Sequence, residues 1–214
     1  MFIRTIARRA ALAGVTTVAA LTLAACGGAD HSTSGSGHGM PGMGGTGAPS
    51  AGASASFGQA DVMFAQMMIP HHQQAVQMAE LAETRAADPE VKKLAGQIKA
   101  AQAPEIATMT GWLTGWGMPA PSASAGHGTS MPGMDHGMPG MMSDADLAKL
   151  AATSGTDFDR QFLTMMIAHH EGAITMAKDE VAKGVNADAN ALAQQIITAQ
   201  QGEIDTMKKI LDRL

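Results

Sequence analysis

The chain contains very little of what β-sheets and disulfide frameworks require. It has no tyrosine and one cysteine among its 214 residues, and aromatic residues make up 3% of the sequence. β-Branched residues are sparse as well, so the usual sequence signals of strands are missing. One cysteine alone cannot form a disulfide within the chain. These absences favour an all-α fold that is not held together by disulfides.

Basic residues are also too few for a nucleic-acid-binding protein. Lysine and arginine number 14 against 19 aspartate and glutamate residues, and three of the arginines lie near the N-terminus. Binding to nucleic acid needs a basic face, and the sequence offers none. We therefore expect no nucleic-acid partner, and contact with a membrane only through a lipid anchor.

The N-terminus has the features of a bacterial lipoprotein signal. A basic start is followed by an apolar run, residues 10–25, that is too short to span a bilayer. The run ends in Leu-Ala-Ala before Cys26, which resembles the lipobox that is cleaved ahead of an acylated cysteine. We predict a signal peptide at residues 1–25, export, and lipid anchoring through Cys26 to the outer face of the cytoplasmic membrane. Because Arg8 is followed by Arg9, the general secretory and twin-arginine routes are both open.

One hexapeptide, His-Gly-Met-Pro-Gly-Met, occurs twice, at residues 38–43 and 136–141. Both copies lie in Gly-, Pro- and Ser-rich segments, a tether at 26–57 and a linker at 117–142, which are expected to be disordered. We expect nothing to pack against their methionines, Met142 included, although methionine normally fills gaps in a core. Low-complexity composition could explain part of the pattern, but thioether and imidazole groups suit soft ions such as Cu(I) and Ag(I). The candidate ligands there are His38, Met40, Met43, His127, Met131, Met134, His136, Met138 and Met141.

The rest of the chain is an internal duplication. Residues 61–116 align without a gap with residues 159–214, at an offset of 98, and 21 of the 56 aligned pairs are identical. Two copies of one unit that cannot bury its apolar face alone are expected to pack against each other. The predicted order is a four-helix bundle over 58–214, with a first repeat at 59–116, the linker at 117–142, and a short helix followed by the second repeat at 143–214.

Each repeat is predicted to be a helical hairpin. Asp88 followed by Pro89 looks like an N-cap and a proline in the first helical turn, and Gly184 with Asn186 makes the matching break in the second repeat. Thr156 with Asp159 resembles a capping box that opens the third long helix. Two such hairpins can bury one common core, which predicts an antiparallel four-helix bundle.

Two adjacent histidines lie on the inward face of the first helix in each repeat. With about 100° between neighbouring residues, both imidazoles of a pair can turn into the core. The hairpin brings one glutamate of the returning helix to the same level, and a buried carboxylate is costly unless it is paired or binds a cation. The candidate metal ligands of the bundle are His71, His72, Met67, Met68 and Glu105 in the first repeat, and His169, His170, Met165, Met166 and Glu203 in the second.

Other functions stay open beside metal binding. A buried His–Glu pair is often purely structural, so a metal-independent structural or partner-binding lipoprotein is the main alternative. A ferritin-like metal-dependent oxidase is less favoured, because the Glu-x-x-His motif of di-iron bundles is missing from the inward faces. A nucleophilic triad lacks support, since no serine lies in a suitable turn and Cys26 is expected to be acylated. We therefore expect a binding protein rather than an enzyme, with a redox activity of bound copper left open.

The histidine motifs also resemble those of a known family. Met-Met-Ile-Pro-His-His at residues 67–72 and Met-Met-Ile-Ala-His-His at residues 165–170 are similar to the signature of the secreted bacterial "domain of unknown function 305" family. The resemblance covers nearly all of residues 60–214. It implies a ferritin-like four-helix bundle, a cell-envelope location and, for some members, copper or silver binding and resistance.

Together these features predict an envelope lipoprotein that handles copper. Copper as Cu(I) is the expected ligand, Ag(I) would suit the same groups, and no cofactor is expected to be required for folding. Sequestration, buffering and hand-over to an exporter or cuproprotein would use the same ligands, so all three roles stay open. The metal and valence in the bundle, the stoichiometry and the oligomeric state stay open as well.

Overall fold

The computed structural model describes residues 56–121 and 138–214. They form five helices, which are α1 (Gln59–Arg85), α2 (Pro89–Gly115), α3 (Asp144–Ala152), α4 (Gly155–Lys183) and α5 (Ala187–Arg213). No strand occurs in this part of the chain, where Ala86 and Gly155 make one isolated bridge. The predicted all-α fold is confirmed, and α3 is the short helix expected ahead of the second repeat. None of these five helices is both long and apolar enough to span a bilayer.

Two helical hairpins pack together to form the bundle. α1 and α2 make the first hairpin, α4 and α5 make the second, and the hairpins meet mainly through α1 and α4. α2 and α5 contact each other much less, so each mainly covers its own hairpin partner. This arrangement confirms the predicted four-helix bundle and makes α1 and α4, which carry the histidine pairs, its two central helices.

Each hairpin turn ends in a side-chain cap on the returning helix. The Asp88 carboxylate accepts hydrogen bonds from two backbone N–H groups of the first turn of α2, and Pro89 takes the first helical position, where a missing N–H has little cost. Asn186 caps α5 in the same way, shortly after α4 has ended at Lys183 with Gly184 as its C-cap. The predicted breaks between the helices of both repeats are confirmed.

Two buried aspartates bind the turn of the opposite hairpin. Near the start of α1, the Asp61 carboxylate accepts hydrogen bonds of 2.9 to 3.3 Å from the N–H groups of Val185 and Asn186. Its counterpart at the offset of 98, Asp159, accepts in the same way from two N–H groups of the α1–α2 turn. The first turn of α1 therefore lies beside the end of α4, so the two central helices are antiparallel and the hairpins are related by a pseudo-twofold axis.

The predicted capping box of Thr156 and Asp159 is wrong. α4 begins at Gly155, and its N-cap residue Ser154 makes no side-chain hydrogen bond to the helix. The Asp159 carboxylate is occupied instead by the N–H groups of the opposite turn. The local cap would give the Asp159 carboxylate one N–H donor, whereas the opposite turn gives it two, so the tertiary partner prevails.

The apolar core lies in two parts, one on each side of the histidines. One part contains Phe158 and Phe162 of α4 together with Met78 of α1. The other contains Phe64 and Met68 of α1 with residues near the end of α4. Along both central helices the histidine pairs lie at the level between these two parts, so polar groups are concentrated at one level of an otherwise apolar interior.

The end of the predicted linker, residues 138–142, packs against the bundle. Met142 lies against the core part that contains the phenylalanines of α4, and Met138 and Met141 are half-buried. The expectation that nothing packs against these methionines is therefore wrong for Met142. The physical reason is that backbone groups of Pro139 and Met142 are held by hydrogen bonds to side chains of α1.

Candidate metal centre

Four buried histidines meet in the middle of the bundle. His71 and His72 project from α1, His169 and His170 project from α4, and each is at most 1% exposed. The rings of His71 and His169 face each other across the two central helices, with their centroids 3.7 Å apart. Because neighbouring residues on a helix point about 100° apart, the second histidine of each pair turns towards its own hairpin partner.

That second histidine binds a glutamate of the returning helix. The Nε2 atom of His72 lies 2.7 Å from a carboxylate oxygen of Glu105, and Nε2 of His170 lies 2.6 Å from one of Glu203. The glutamate side chains are about one-fifth exposed, whereas the imidazoles are fully buried. The helical spacing in the sequence places these residues at one level, and the structure brings them together. Their role as metal ligands stays a prediction.

The hydrogen bonds of three histidines determine which ring nitrogen carries the lone pair. His71 donates from Nε2 to the backbone carbonyl of Pro139 at 3.0 Å, because a carbonyl oxygen can only accept. The carboxylates of Glu105 and Glu203 accept in the same way from Nε2 of His72 and His170. A neutral imidazole with its proton on Nε2 has its lone pair on Nδ1. Among the described residues, none supplies a hydrogen-bond partner for these three Nδ1 atoms or for either ring nitrogen of His169.

This pattern is typical of histidines that bind metal ions. A metal-binding histidine usually donates its other N–H group to a carboxylate or a backbone carbonyl, which fixes both the tautomer and the orientation of the ring. Here two carboxylates and one carbonyl do so. A buried polar atom without a partner has a free-energy cost, so the three Nδ1 lone pairs are a cost to folding unless they serve as ligands.

The two histidines that face each other are neutral at physiological pH. Burial, with a smaller contribution from the neighbouring His72 ring, lowers the pKa of His71 to about 3. Burial and the adjacent His71 ring hold the pKa of His169 well below its usual range. A histidine must be neutral to bind a metal ion. Both rings therefore need no proton removed before they can act as nitrogen ligands.

Four methionines lie one helical turn before the histidines, on the same faces of α1 and α4. Met68 and Met166 are fully buried, Met165 is 9% exposed and Met67 is half-buried. The predicted thioether groups thus flank the level of the imidazoles. Gln102 of α2 is also buried, and no described residue offers a hydrogen-bond partner to its amide. Buried nitrogen, sulfur and amide groups therefore lie at neighbouring levels of the bundle.

The sequence of residues 61–211 matches the family described as Domain of unknown function (DUF305). The chain belongs to this family. The match covers nearly all of both hairpins, including the four histidines, and confirms the resemblance noted from the His-His motifs.

Solved structures of DUF305 proteins share this fold. The chain is 36% identical to a protein from Streptomyces coelicolor described as secreted, over 72% of this chain and 93% of that chain, with a TM-score of 0.65. It is 37% identical to CopM in the Cu(II)-bound form, over 72% of this chain and 96% of that chain, with a TM-score of 0.61. CopM has also been solved in Cu(I)-bound and Ag-bound forms.

A viral relative shares a shorter stretch of the chain. An uncharacterised protein of Acanthamoeba polyphaga mimivirus is 46% identical over 54 residues, which is 25% of this chain. The chain matches 36% of the length of that relative.

Not every predicted ligand lies at the histidine centre. Eight of the predicted site residues lie outside the described part of the chain: Cys26, His38, Met40, Met43, His127, Met131, Met134 and His136. Within residues 56–121 and 138–214, no three or more His, Cys, Asp or Glu side chains are already arranged to hold a metal ion. A bound ion would therefore have to use thioether ligands, or imidazoles that have moved from the positions described above.

Sequence reasoning missed two positions near the centre, the Pro139 carbonyl that binds His71 and the glycine at residue 172 that lies beside it. One signal was available. The two hexapeptides, at 38–43 and 136–141, are related by the same offset of 98 as the helices. That shared offset indicates that the hexapeptides belong to the duplicated unit rather than to an unrelated tether.

Proposed function

We propose that this DUF305 protein binds soft metal ions, Cu(I) above all, at the histidine centre between α1 and α4. The observation that carries the proposal is the set of buried Nδ1 atoms on His71, His72 and His170, whose Nε2–H groups are already held by oxygen acceptors. Imidazole nitrogens with thioether sulfurs beside them suit Cu(I) and Ag(I). CopM, which has the same fold, has been solved with Cu(I), Cu(II) and Ag bound.

Binding at this centre would require one of the two facing rings, that of His169, to move. With 3.7 Å between their centroids, the imidazoles of His71 and His169 leave no room for an ion between them. His71 is held by the Pro139 carbonyl, whereas no described residue binds a ring nitrogen of His169. A change in the side-chain torsions of His169 would open space for an ion beside Nδ1 of His71 and the buried sulfur of Met68 or Met166. Thioethers carry no proton and these imidazoles are neutral, so metal binding need not compete with protons at neutral pH.

The proposed function belongs to the cell envelope. The predicted signal at residues 1–25 and the lipobox-like Cys26 favour an exported, lipid-anchored protein, and a DUF305 relative is described as secreted. The Met- and His-rich segments would capture ions loosely and exchange them fast, whereas the bundle would hold them more tightly. The protein would sequester or buffer copper, or hand it to an exporter or a cuproprotein, without catalysing a reaction.

Anaerobic titration of the purified full-length protein with Cu(I), against a strong competing chelator, tests the proposal. We expect the double substitution Met68→Leu and Met166→Leu to weaken copper binding by about tenfold or more, or about 1.4 kcal/mol. It removes two fully buried thioethers at nearly constant volume. The matched control is Met63→Leu with Met118→Leu, because both of these methionines are exposed. The control should bind copper as the parent does.

Two results would contradict a copper site in the bundle. Equal weakening by both double substitutions would mean that methionines anywhere in the chain capture the ion. If the parent protein retains no copper, the result would favour the structural alternative. That alternative draws on the hydrogen bonds of 2.7 and 2.6 Å, which satisfy Nε2 of His72 and His170 without a metal.

A further inference from the structure

The segment Met138–Met142 lies against the histidine centre, and we call it the strap. The carbonyl of Pro139 accepts the Nε2–H of His71 at 3.0 Å. At the end of the strap, the amide side chain of Gln74 donates to the Met142 carbonyl at 2.9 Å and accepts the Met142 N–H at 2.8 Å. Two successive turns of α1 therefore hold the backbone of the strap, and one of the contacts is with a histidine of the proposed metal centre.

On α4 the strap fits because residue 172 has no side chain. A Cβ atom on Gly172 would collide with the Pro139 carbonyl and lie 2.8 Å from the Cα atom of Gly140. Gly140 itself has a φ of +76°, and a Cβ atom there would lie 2.5 Å from the carbonyl oxygen of Ala168. Backbone therefore packs directly on backbone, and a larger residue at either glycine would lift the strap from the helix.

Comparison of the two repeats shows that the strap can pack in this way on one side of the histidine centre. At the offset of 98, Gln74 is the counterpart of Gly172, and His169 is the counterpart of His71. A glutamine has the Cβ atom that position 172 must lack, so α1 cannot receive a second strap in the same way. Consistent with this, none of the described residues provides a partner for Nε2 of His169. The two facing histidines are thus equivalent in sequence but differ in their surroundings.

We propose that the strap is a positioning element of the metal centre and that Gly172 and Gln74 are the residues that hold it. The Pro139 carbonyl keeps the proton of His71 on Nε2 and so presents Nδ1 as the ligand atom. The strap also covers this side of the centre, so a metal ion bound there dissociates slowly. The proposal rests on the proposed metal binding and adds the residues that control one of its ligands.

Gly172→Ala tests the strap with a very small change. Alanine favours helix over glycine, so α4 should fold, while the added Cβ atom should displace Pro139. We expect faster hydrogen exchange of the Met142 N–H in the metal-free protein. Nε2 of His71 should lose its fixed proton in ¹⁵N spectra, and Cu(I) should pass to a competing chelator about tenfold faster or more. Gln74→Ala should give the same changes from the other side of the strap.

The control is Gly202→Ala, which makes the same substitution within α5 at a position where nothing lies within 4 Å of the new atom. It should leave all three measurements as in the parent. If the parent binds copper and neither Gly172→Ala nor Gln74→Ala changes the rate of copper loss, the inference is overturned while the proposed function stands. If the parent binds no copper, the proposed function fails and the inference fails with it.

Discussion

At the scale of single residues, Glu105 and Glu203 orient the imidazoles that they bind. Glu203→Ala would leave the Nε2–H group of the fully buried His170 without an acceptor. We expect a loss of about 1–3 kcal/mol in the free energy of unfolding and a copper affinity lower by about tenfold or more. Urea unfolding and chelator competition measure the two effects. Glu171→Ala, at an exposed position of α4, is the control, and an equal effect of both substitutions would contradict this role.

A second acid lies beside Asp61 at one end of the bundle. Glu180 is 1% exposed, and burial, together with the neighbouring Asp61 carboxylate, raises its pKa from 4.5 to about 8. Although burial alone would raise the pKa of Asp61, backbone N–H donors such as those of Gly58 and Asn186 hold it below its usual value. Glu180 is therefore protonated at neutral pH. In the first repeat, the residue equivalent to Glu180 is Ala82, which lies at the other end of the bundle.

This raised pKa predicts a pH dependence of stability. Below pH 4.5 the folded and unfolded chains both keep the proton of Glu180. Between pH 4.5 and about 8 only the folded protein keeps it, so the stabilising contribution of Glu180 is lost as the pH rises through this window. Across this window, the free energy of unfolding of the metal-free parent should fall by about 2 kcal/mol or more relative to that of Glu180→Gln.

Urea unfolding of the parent and Glu180→Gln at several pH values measures this difference, and the subtraction removes the contributions of other titrating groups. Glutamine keeps the size and polarity of the side chain but cannot ionise, which makes it the matched replacement. A difference between the two proteins that stays constant from pH 4.5 to 8 would show that Glu180 is ionised in the folded state.

At the scale of elements, each hairpin turn is held by an aspartate of the other hairpin. Asp159→Ala would leave two N–H groups of the α1–α2 turn without their acceptor. We expect the free energy of unfolding to fall by about 1–3 kcal/mol, the cost of a donor that loses its partner, since water can reach this turn in part. Asp157→Ala, exposed in the first turn of α4, should cost less than about 1 kcal/mol. Similar losses for both would assign the effect to the helix terminus rather than to the turn.

The helices could be predicted from the sequence because their signals are local. The caps at Asp88 and Asn186 lie at the starts of their helices, and the apolar period marks the inward faces. The role of Asp159 could not be predicted in this way. Its partners lie 71 and 72 residues away, and a nearby Thr156 offered a local alternative that the tertiary hydrogen bonds override.

At the scale of the whole molecule, duplication explains why four histidines meet. One histidine pair per repeat, together with a pseudo-twofold relation between hairpins, brings both pairs to one level of the bundle, and this could be predicted from the sequence. The differences between the two repeats could not be predicted from it. Gly172, whose counterpart in the first repeat is Gln74, decides on which side of the centre the strap lies. Such backbone packing has no periodic signal in the sequence.

The central claim is that the buried histidines bind a soft metal ion through Nδ1, and ¹⁵N NMR of histidine-labelled protein with and without Ag(I) tests it most directly. Ag(I) shares the ligand preferences of Cu(I). We predict that the Nδ1 signals of His72 and His170 shift when Ag(I) is added, while both Nε2 atoms keep their protons and their glutamate partners. Shifts at Nε2 instead of Nδ1, or no shift in any of the four histidines of the bundle, would contradict the account.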